Sequence, residues 1–129
     1  SGFARFGGPL LIVDLGTATK IEAVTAAGDF LGGVIAPGLG LSLETLAGRA
    51  ARLYAVELSP PETAIGRNTI AAVQSGVVLG HAAMIEGMVR RLREELGGVE
   101  RVLRTGGYAH AVAPLLAEVT DHVPDLTLE

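Results

Sequence analysis

The spacing of apolar residues along this chain changes character several times, and each change marks an element. Residues 9–15 form an apolar run interrupted only by Asp14, the pattern of a central strand covered on both faces. Residues 18–26 make a second strand after the tight Gly16–Thr17 turn. Ala27-Gly28-Asp29 is a second turn of hairpin type, and residues 30–36 form a third strand ended by Pro37-Gly38. An antiparallel meander is the simplest arrangement of the three. The period then becomes helical. Residues 41–53 place Leu41, Leu43, Leu46, Ala47, Ala50 and Leu53 along one side, with Arg49 and Arg52 outside. Ser59-Pro60-Pro61 breaks the chain, and a long helix follows from an N-cap at Asn68 to Leu96, where Gly97-Gly98 ends it. Arg90 with Glu94 and Arg91 with Glu95, at i,i+4 spacing, mark its last turns as solvated. A strand at 99–104, a helix at 108–119 and a strand at 120–124 complete the order βββααβαβ. This is the α/β class: one domain over 1–129, with a mixed sheet and helices on its faces.

The long helix carries a second pattern. Ala72, Gly76, Gly80, Ala83 and Gly87 recur at steps of four and three residues, a stripe of small side chains. Each glycine weakens a helix by up to about 1 kcal/mol relative to alanine, so another backbone is expected to come close. Two partners fit: the first helix or the sheet of the same chain, or the same helix of a second copy.

Composition narrows the function classes. The chain has 129 residues, 49% of them hydrophobic but only 4% aromatic, and a mean hydropathy of +0.45. Such a core must rest on small and branched aliphatics, and suits a large buried interface or a piece cut from a larger protein. A net charge of -4 and a pI near 5.3 argue against a broad nucleic-acid surface. With no cysteine, disulfides and thiolate metal sites are excluded, which fits a reducing cytosol. Arg5 and the nearby glycines interrupt any signal-peptide core. Gln74, Ser75, His81 and Glu86 make the most apolar window, 70–88, too polar for a lone membrane span. The expectation is a soluble, cytoplasmic protein that contacts neither nucleic acid nor membrane.

Candidate chemistry begins at Asp14. A carboxylate in an apolar run is costly to bury without a partner, and a hydrated Mg²⁺ carried by a nucleotide would supply one. Gly16 lets a ligand approach, and the turn's N–H groups with the hydroxyls of Thr17 and Thr19 could cradle phosphate oxygens. A plain hairpin turn that satisfies only its own backbone is the alternative. Gly32-Gly33, Pro37-Gly38 and Thr105-Gly106-Gly107 could line the same crevice, the last opening a helix whose N–H groups favour anions. Neither the dinucleotide GxGxxG nor the GxxxxGK[ST] loop is present. His81, His110 and His122 lie on three separate elements without ligand spacing. Glu22 reads as solvated or ion-paired, and Lys20 as a surface lysine or a further phosphate contact.

Taken together, D-L-G-T-A-T (14–19), G-D-F-L-G-G-V-I-A-P-G (28–38), I-G-R-N-T-I-A-A-V-Q-S-G (65–76), T-G-G (105–107) and P-D-L-T-L-E (124–129) resemble the type III pantothenate kinases, in order along nearly the whole chain. That family belongs to the superfamily of acetate and sugar kinases, heat-shock chaperones and actin. The resemblance implies an RNase H-like, actin-like ATPase half-domain, with ATP bound between two such halves. It implies ATP-dependent phosphorylation of pantothenate in coenzyme A biosynthesis, with Mg²⁺ and a monovalent cation, K⁺ or NH₄⁺. Carried over by position, Asp14 lies near metal and phosphates, and Gly16, Thr17 and Thr19 bind phosphate. Thr105, Gly106 and Gly107 lie by the adenosine. Thr69 reaches pantothenate across a homodimer, which would make the 68–96 helix the dimer element.

The departures from that family matter as much. Its D-x-G-N-T phosphate loop and its G-x-D-R segment, which carries the base and the substrate arginine, are absent from these 129 residues. No catalytic residue is therefore assigned here. The expectation is a C-terminal, nucleotide-binding half with little turnover by itself. A non-catalytic assembly module, like the related Bvg accessory factors, is the alternative.

Overall fold

The computed structural model describes residues 8–47, 56–99, 101–116 and 121–122. Its strands are β1 (Leu10–Leu15), β2 (Ala18–Val24), β3 (Phe30–Pro37), β4 (Arg101–Thr105) and β5 (Asp121–His122). The helices are α1 (Leu39–Ala47), α2 (Thr69–Glu95) and α3 (Ala109–Val112). The order is the expected βββααβαβ. The apolar run found in the sequence lies at the centre of a five-stranded sheet of order β3-β2-β1-β4-β5. β1 is antiparallel to β2 and parallel to β4, so the first three strands form the meander and a helical crossover brings β4 beside β1.

Register assigns each β1 side chain to a face. Leu11, Val13 and Leu15 stand opposite Ala23, Ile21 and Thr19, and all of the apolar ones join the main core. That core also takes Leu39 of α1, Val77, Val78, Ala82, Ile85 and Val89 of α2, and Ala109, Ala111 and Val112 of α3. The other face carries a smaller buried cluster, Leu10, Ile12, Val24 and Leu103, and in line with it Asp14, Lys20 and Glu22. A strand buried on both faces is the reason residues 10–13 are apolar without alternation.

Several boundaries differ from the periodicity. β2 ends at Val24 rather than 26, because the pairing slips at Ala23/Val24 and the Thr25–Asp29 turn closes with Gly28 at φ 92°. α1 starts at Leu39, since the Gly38 carbonyl already accepts the Ser42 N–H at 2.9 Å. The expected continuation to 53 lies outside the described residues. α3 has only four residues and tightens into a 3₁₀ turn at Ala113–Leu115, where Pro114 offers no N–H to an α-helical ladder. The expected remainder of that helix, from 117, and of the last strand, beyond 122, also lies outside.

The long helix follows its sequence signals at both ends. Asn68 Oδ1 accepts the Ala71 N–H at 2.8 Å. At the far end the Gly98 N–H donates to Arg93 O and the Gly97 N–H to Glu94 O, a Schellman cap with both glycines at positive φ. Between them Ser75–Leu79 is wound as a π turn. By length and composition α2 could cross a membrane; in this fold the apolar side from Val77 to Val89 is spent on the sheet. Its small-residue stripe points elsewhere. Ala72, Gly76, Gly80 and Ala83 are exposed, and a methyl group added at Gly76, Gly80 or Gly87 would meet nothing within 4 Å. Among the described residues, packing within the chain does not account for the stripe.

Two substitutions separate these roles. Asn68→Ala should cost about 0.5–2 kcal/mol through the lost cap. Gly87→Ala should stabilise the chain by up to about 1 kcal/mol, because helix propensity improves and no neighbour is struck. Urea unfolding of both variants checks the pair.

Candidate functional site

Asp14 is the last residue but one of β1 and lies at that strand's carboxyl end, paired in register with Thr105 at the carboxyl end of parallel β4. Crevices at the carboxyl ends of parallel strands are where α/β sheets hold ligands. On the β2 side Asp14 stands opposite Lys20, with Glu22 two positions further along the same face. Partial burial raises the Glu22 pKa, Lys20 opposes that shift, and the negative charge of Asp14 adds to it. Asp14 and Glu22 thus feel each other across the sheet, with Lys20 between them.

The turn after Asp14 is held from three directions. A Cβ at Gly38 would lie 2.2 Å from the Thr17 carbonyl oxygen, so the β3–α1 junction presses on the turn backbone to backbone. A Cβ at Gly106 would lie 2.5 Å from the Leu15 carbonyl carbon, and Gly106 has φ 103°. The next loop residues add a hydrogen bond, Tyr108 N–H to Leu15 O at 2.9 Å. Beneath the turn, Thr19 Oγ1 and His81 Nε2 of α2 are 2.7 Å apart, both side chains buried. Burial lowers the His81 pKa, so the ring is neutral at pH 7.

Against these tight contacts stand two open positions. A Cβ at Gly16 would make only ordinary contacts, 3.5 Å from Asp14 Oδ1 and 3.9 Å from Ala18 O, and one at Gly107 would meet nothing within 4 Å. The chain's own packing does not require glycine at either place. Glycine without a packing duty next to a carboxylate leaves room for a ligand, and one carboxylate, exposed Thr17 and the turn backbone are a donor set that fits a phosphate with a hydrated divalent cation.

The structure therefore sorts the predicted residues. Asp14, Gly16, Thr17, Thr105, Gly106 and Gly107 come together at one end of the sheet. Within that group Gly106 has a packing duty that Gly107 lacks. The Thr19 hydroxyl is engaged with His81 on the helix-facing side. The loop at 105–107 opens only a four-residue α-helix, so local N–H groups rather than a helix dipole are what it offers. Thr69 begins α2 and lines a separate groove of roughly 650 Å³ with Ala36, Pro37, Ser42, Gly76 and His81. That groove is on the helix side of the sheet, whereas the register assigns Asp14 to the other face.

His110 Nδ1 donates to the Gly107 carbonyl at 3.1 Å, and no group of three His, Asp or Glu side chains capable of holding a metal occurs among the described residues. Sequence reasoning missed His81, Gly38 and Tyr108 as supports of the turn. For His81 a signal existed: it falls on the buried face with Val77, Val78, Ala82 and Ile85, where an imidazole must find a partner.

Comparison with known proteins gives this geometry a family. The family model described as type III pantothenate kinase matches residues 1–91. A type III pantothenate kinase of Frankia alni is 46% identical over 95% of this chain and 49% of its own length, and one of Thermomicrobium roseum is 48% identical over 96% and 48%. The chain spans about half the length of the curated relatives it matches. A crystal structure of a conserved Baf-family protein from Campylobacter jejuni superposes with a TM-score of 0.52 over 98% of this chain and 56% of that one, at 22% identity, which speaks for the fold. With the Asp14 turn, the T-G-G loop and the βββααβαβ sheet in hand, the chain belongs to the type III pantothenate kinase family.

Proposed function

We propose that this chain is the ATP-binding half of a pantothenate kinase, the part that holds the nucleotide's phosphates and cation while phosphate passes to pantothenate. The observation that carries the reading is the contrast at the strand ends. Gly38 and Gly106 are locked against the Asp14–Thr19 turn, while Gly16, next to the Asp14 carboxylate, has only ordinary contacts and Gly107 faces open space. A preorganised loop with bare backbone costs nothing to rearrange when an anion arrives. Asp14 would hold the hydrated Mg²⁺ through its water shell. Gly16 and Thr17 would donate to phosphate oxygens, with Thr19 at the end of the same turn. Thr105, Gly106 and Gly107 would border the adenosine. The cation, when bound, neutralises charge on the transferring phosphoryl group. A monovalent cation, K⁺ or NH₄⁺, follows from the family alone.

Two segments that the family uses, the D-x-G-N-T phosphate loop and the G-x-D-R segment with the base and the substrate arginine, do not occur in these residues. The reading therefore assigns no base here, and expects the chain by itself to form little or no phosphopantothenate. A second reading, assembly between copies, is favoured by one observation: the small-residue stripe on α2, where a methyl group added at Gly76, Gly80 or Gly87 would meet nothing, along the groove that contains Thr69. Helices meeting through such a stripe would bring Thr69 to a neighbour's site.

The first experiment follows backbone amides during titration with Mg-ATP. Gly16, Thr17 and Gly107 should shift at millimolar nucleotide, and Asp14→Asn should weaken binding about tenfold or more and abolish its dependence on Mg²⁺. Shifts confined to other parts of the chain would leave the turn an ordinary hairpin. The second experiment is light scattering at micromolar concentration. A dimer is expected, and Gly76→Leu or Gly80→Leu should convert it to a folded monomer; a wild-type monomer would remove the assembly reading while leaving the nucleotide site standing.

A further inference from the structure

The contact between Thr19 and His81 joins residues 62 positions apart and is the place where α2 reaches the turn by a side-chain hydrogen bond. Thr19 is 2% exposed and stands opposite Leu15, the first pair of the β1–β2 hairpin beyond the turn. His81 is 7% exposed and lies two residues past the end of the π turn at Ser75–Leu79, a local change of winding that shifts the phase of every later residue on the helix. From Val77 onward the buried positions keep α-helical spacing through His81, Ala82, Ile85 and Val89, so the phase set by the π turn is the one that puts the imidazole on the sheet.

Three other contacts fix the turn: Gly38 on Thr17, Gly106 on Leu15, and the Tyr108 N–H on the Leu15 carbonyl. Each acts on its backbone from the strand ends or the neighbouring loop. None of them sets the position of β2's first residues relative to α2. Beside the apolar packing of Leu15 and Ile21 on that helix, the hydroxyl–imidazole pair is the directional link, and buried polar atoms that lose their partner cost more than the bond itself contributed.

We propose that His81 is a positioning residue for the phosphate turn: it holds Thr19 in place and thereby fixes Gly16 and Thr17 in the geometry that receives a phosphate. The inference rests on the reading of the Asp14–Thr19 turn as a nucleotide site and adds a residue outside that site to its support. It also gives the Thr19 hydroxyl a role other than direct phosphate contact. The bond points to the helix, and what reaches the ligand is the backbone that the bond holds still.

The test compares Mg-ATP affinity and amide exchange in the wild type, His81→Leu, His81→Gln, Thr19→Val and the double variant His81→Leu/Thr19→Val. His81→Leu removes the hydrogen-bonding nitrogen at similar size, and should weaken Mg-ATP at least about fivefold, the consequence of one orphaned buried hydroxyl. His81→Gln returns an amide to the position of Nε2 and should recover most of the loss. Thr19→Val should lose as much as His81→Leu, and the double variant no more than either. Without nucleotide, the Gly16 and Thr17 amides should exchange faster in His81→Leu while those of Leu11 and Val13 keep wild-type protection. Wild-type affinity in folded His81→Leu, or in folded Thr19→Val, overturns the proposal, as does failure of glutamine to rescue. Should His81→Leu not fold, Thr19→Val and His81→Gln decide by the same criteria. If the wild type gives no shift at Gly16 and Thr17 with Mg-ATP, the nucleotide reading itself fails and the inference falls with it; binding that persists unchanged in every variant refutes the inference alone.

Discussion

The site depends on one close approach of backbone to backbone. The loop after β4 lies against the last residue of β1 so tightly that a single methyl group at Gly106 would overlap the Leu15 carbonyl. Only glycine satisfies both that distance and the φ of 103° found there. The approach brings together two segments that the sequence separates by β2, β3, α1, α2 and β4. It is sealed by the Tyr108 N–H on the Leu15 carbonyl and mirrored by Gly38 on the other flank of the turn. With it, the turn and the 105–107 loop lie side by side at the carboxyl ends of two parallel strands.

Holding the turn has a structural consequence on the opposite side of the sheet. α2 must cover Val13, Leu15 and Ile21, and it does so with Val77, Val78, Ala82, Ile85 and Val89. The π turn and His81 belong to that covering layer and reach the turn from below. The other side of α2 is left with small residues and a groove, bounded by the end of β3 and the start of α1. One helix therefore serves both candidate surfaces, with its aliphatic side committed to the sheet and its glycine side open. Apolar residues at the outer strand β3 (Phe30, Leu31 and Ile35) are likewise exposed in this chain.

Much of this was legible in the residues themselves. The unalternating run at 10–13 announced a strand buried on both faces, Asn68 and Gly97-Gly98 announced the ends of α2, and Asp14 before Gly16 announced the loop. Local signals of this kind depend on neighbours within a few positions, which is the range over which a sequence can be read directly. What escaped was long-range. The pairing of Thr19 with His81 depends on the winding of a helix 62 residues away. The difference between Gly106, which packing demands, and Gly107, which it does not, depends on where Leu15 lies in space. The two are adjacent and identical in the chain, so periodicity had no means of separating them. The early end of α3 was readable in principle from Pro114, whose effect on the helical ladder is local.

If the Asp14 turn and the 105–107 loop together hold a nucleotide and its cation, the ion lies closest to the amides of those two segments. Replacing Mg²⁺ by paramagnetic Mn²⁺ in the presence of ATP tests it most directly, because line broadening reports distance from the ion. Amides of Asp14, Gly16 and Thr17 should broaden first, followed by those of Thr105 to Gly107, while the groove-facing residues of α2 stay sharp. Broadening centred on α2 or on β3, with the turn unaffected, would contradict it.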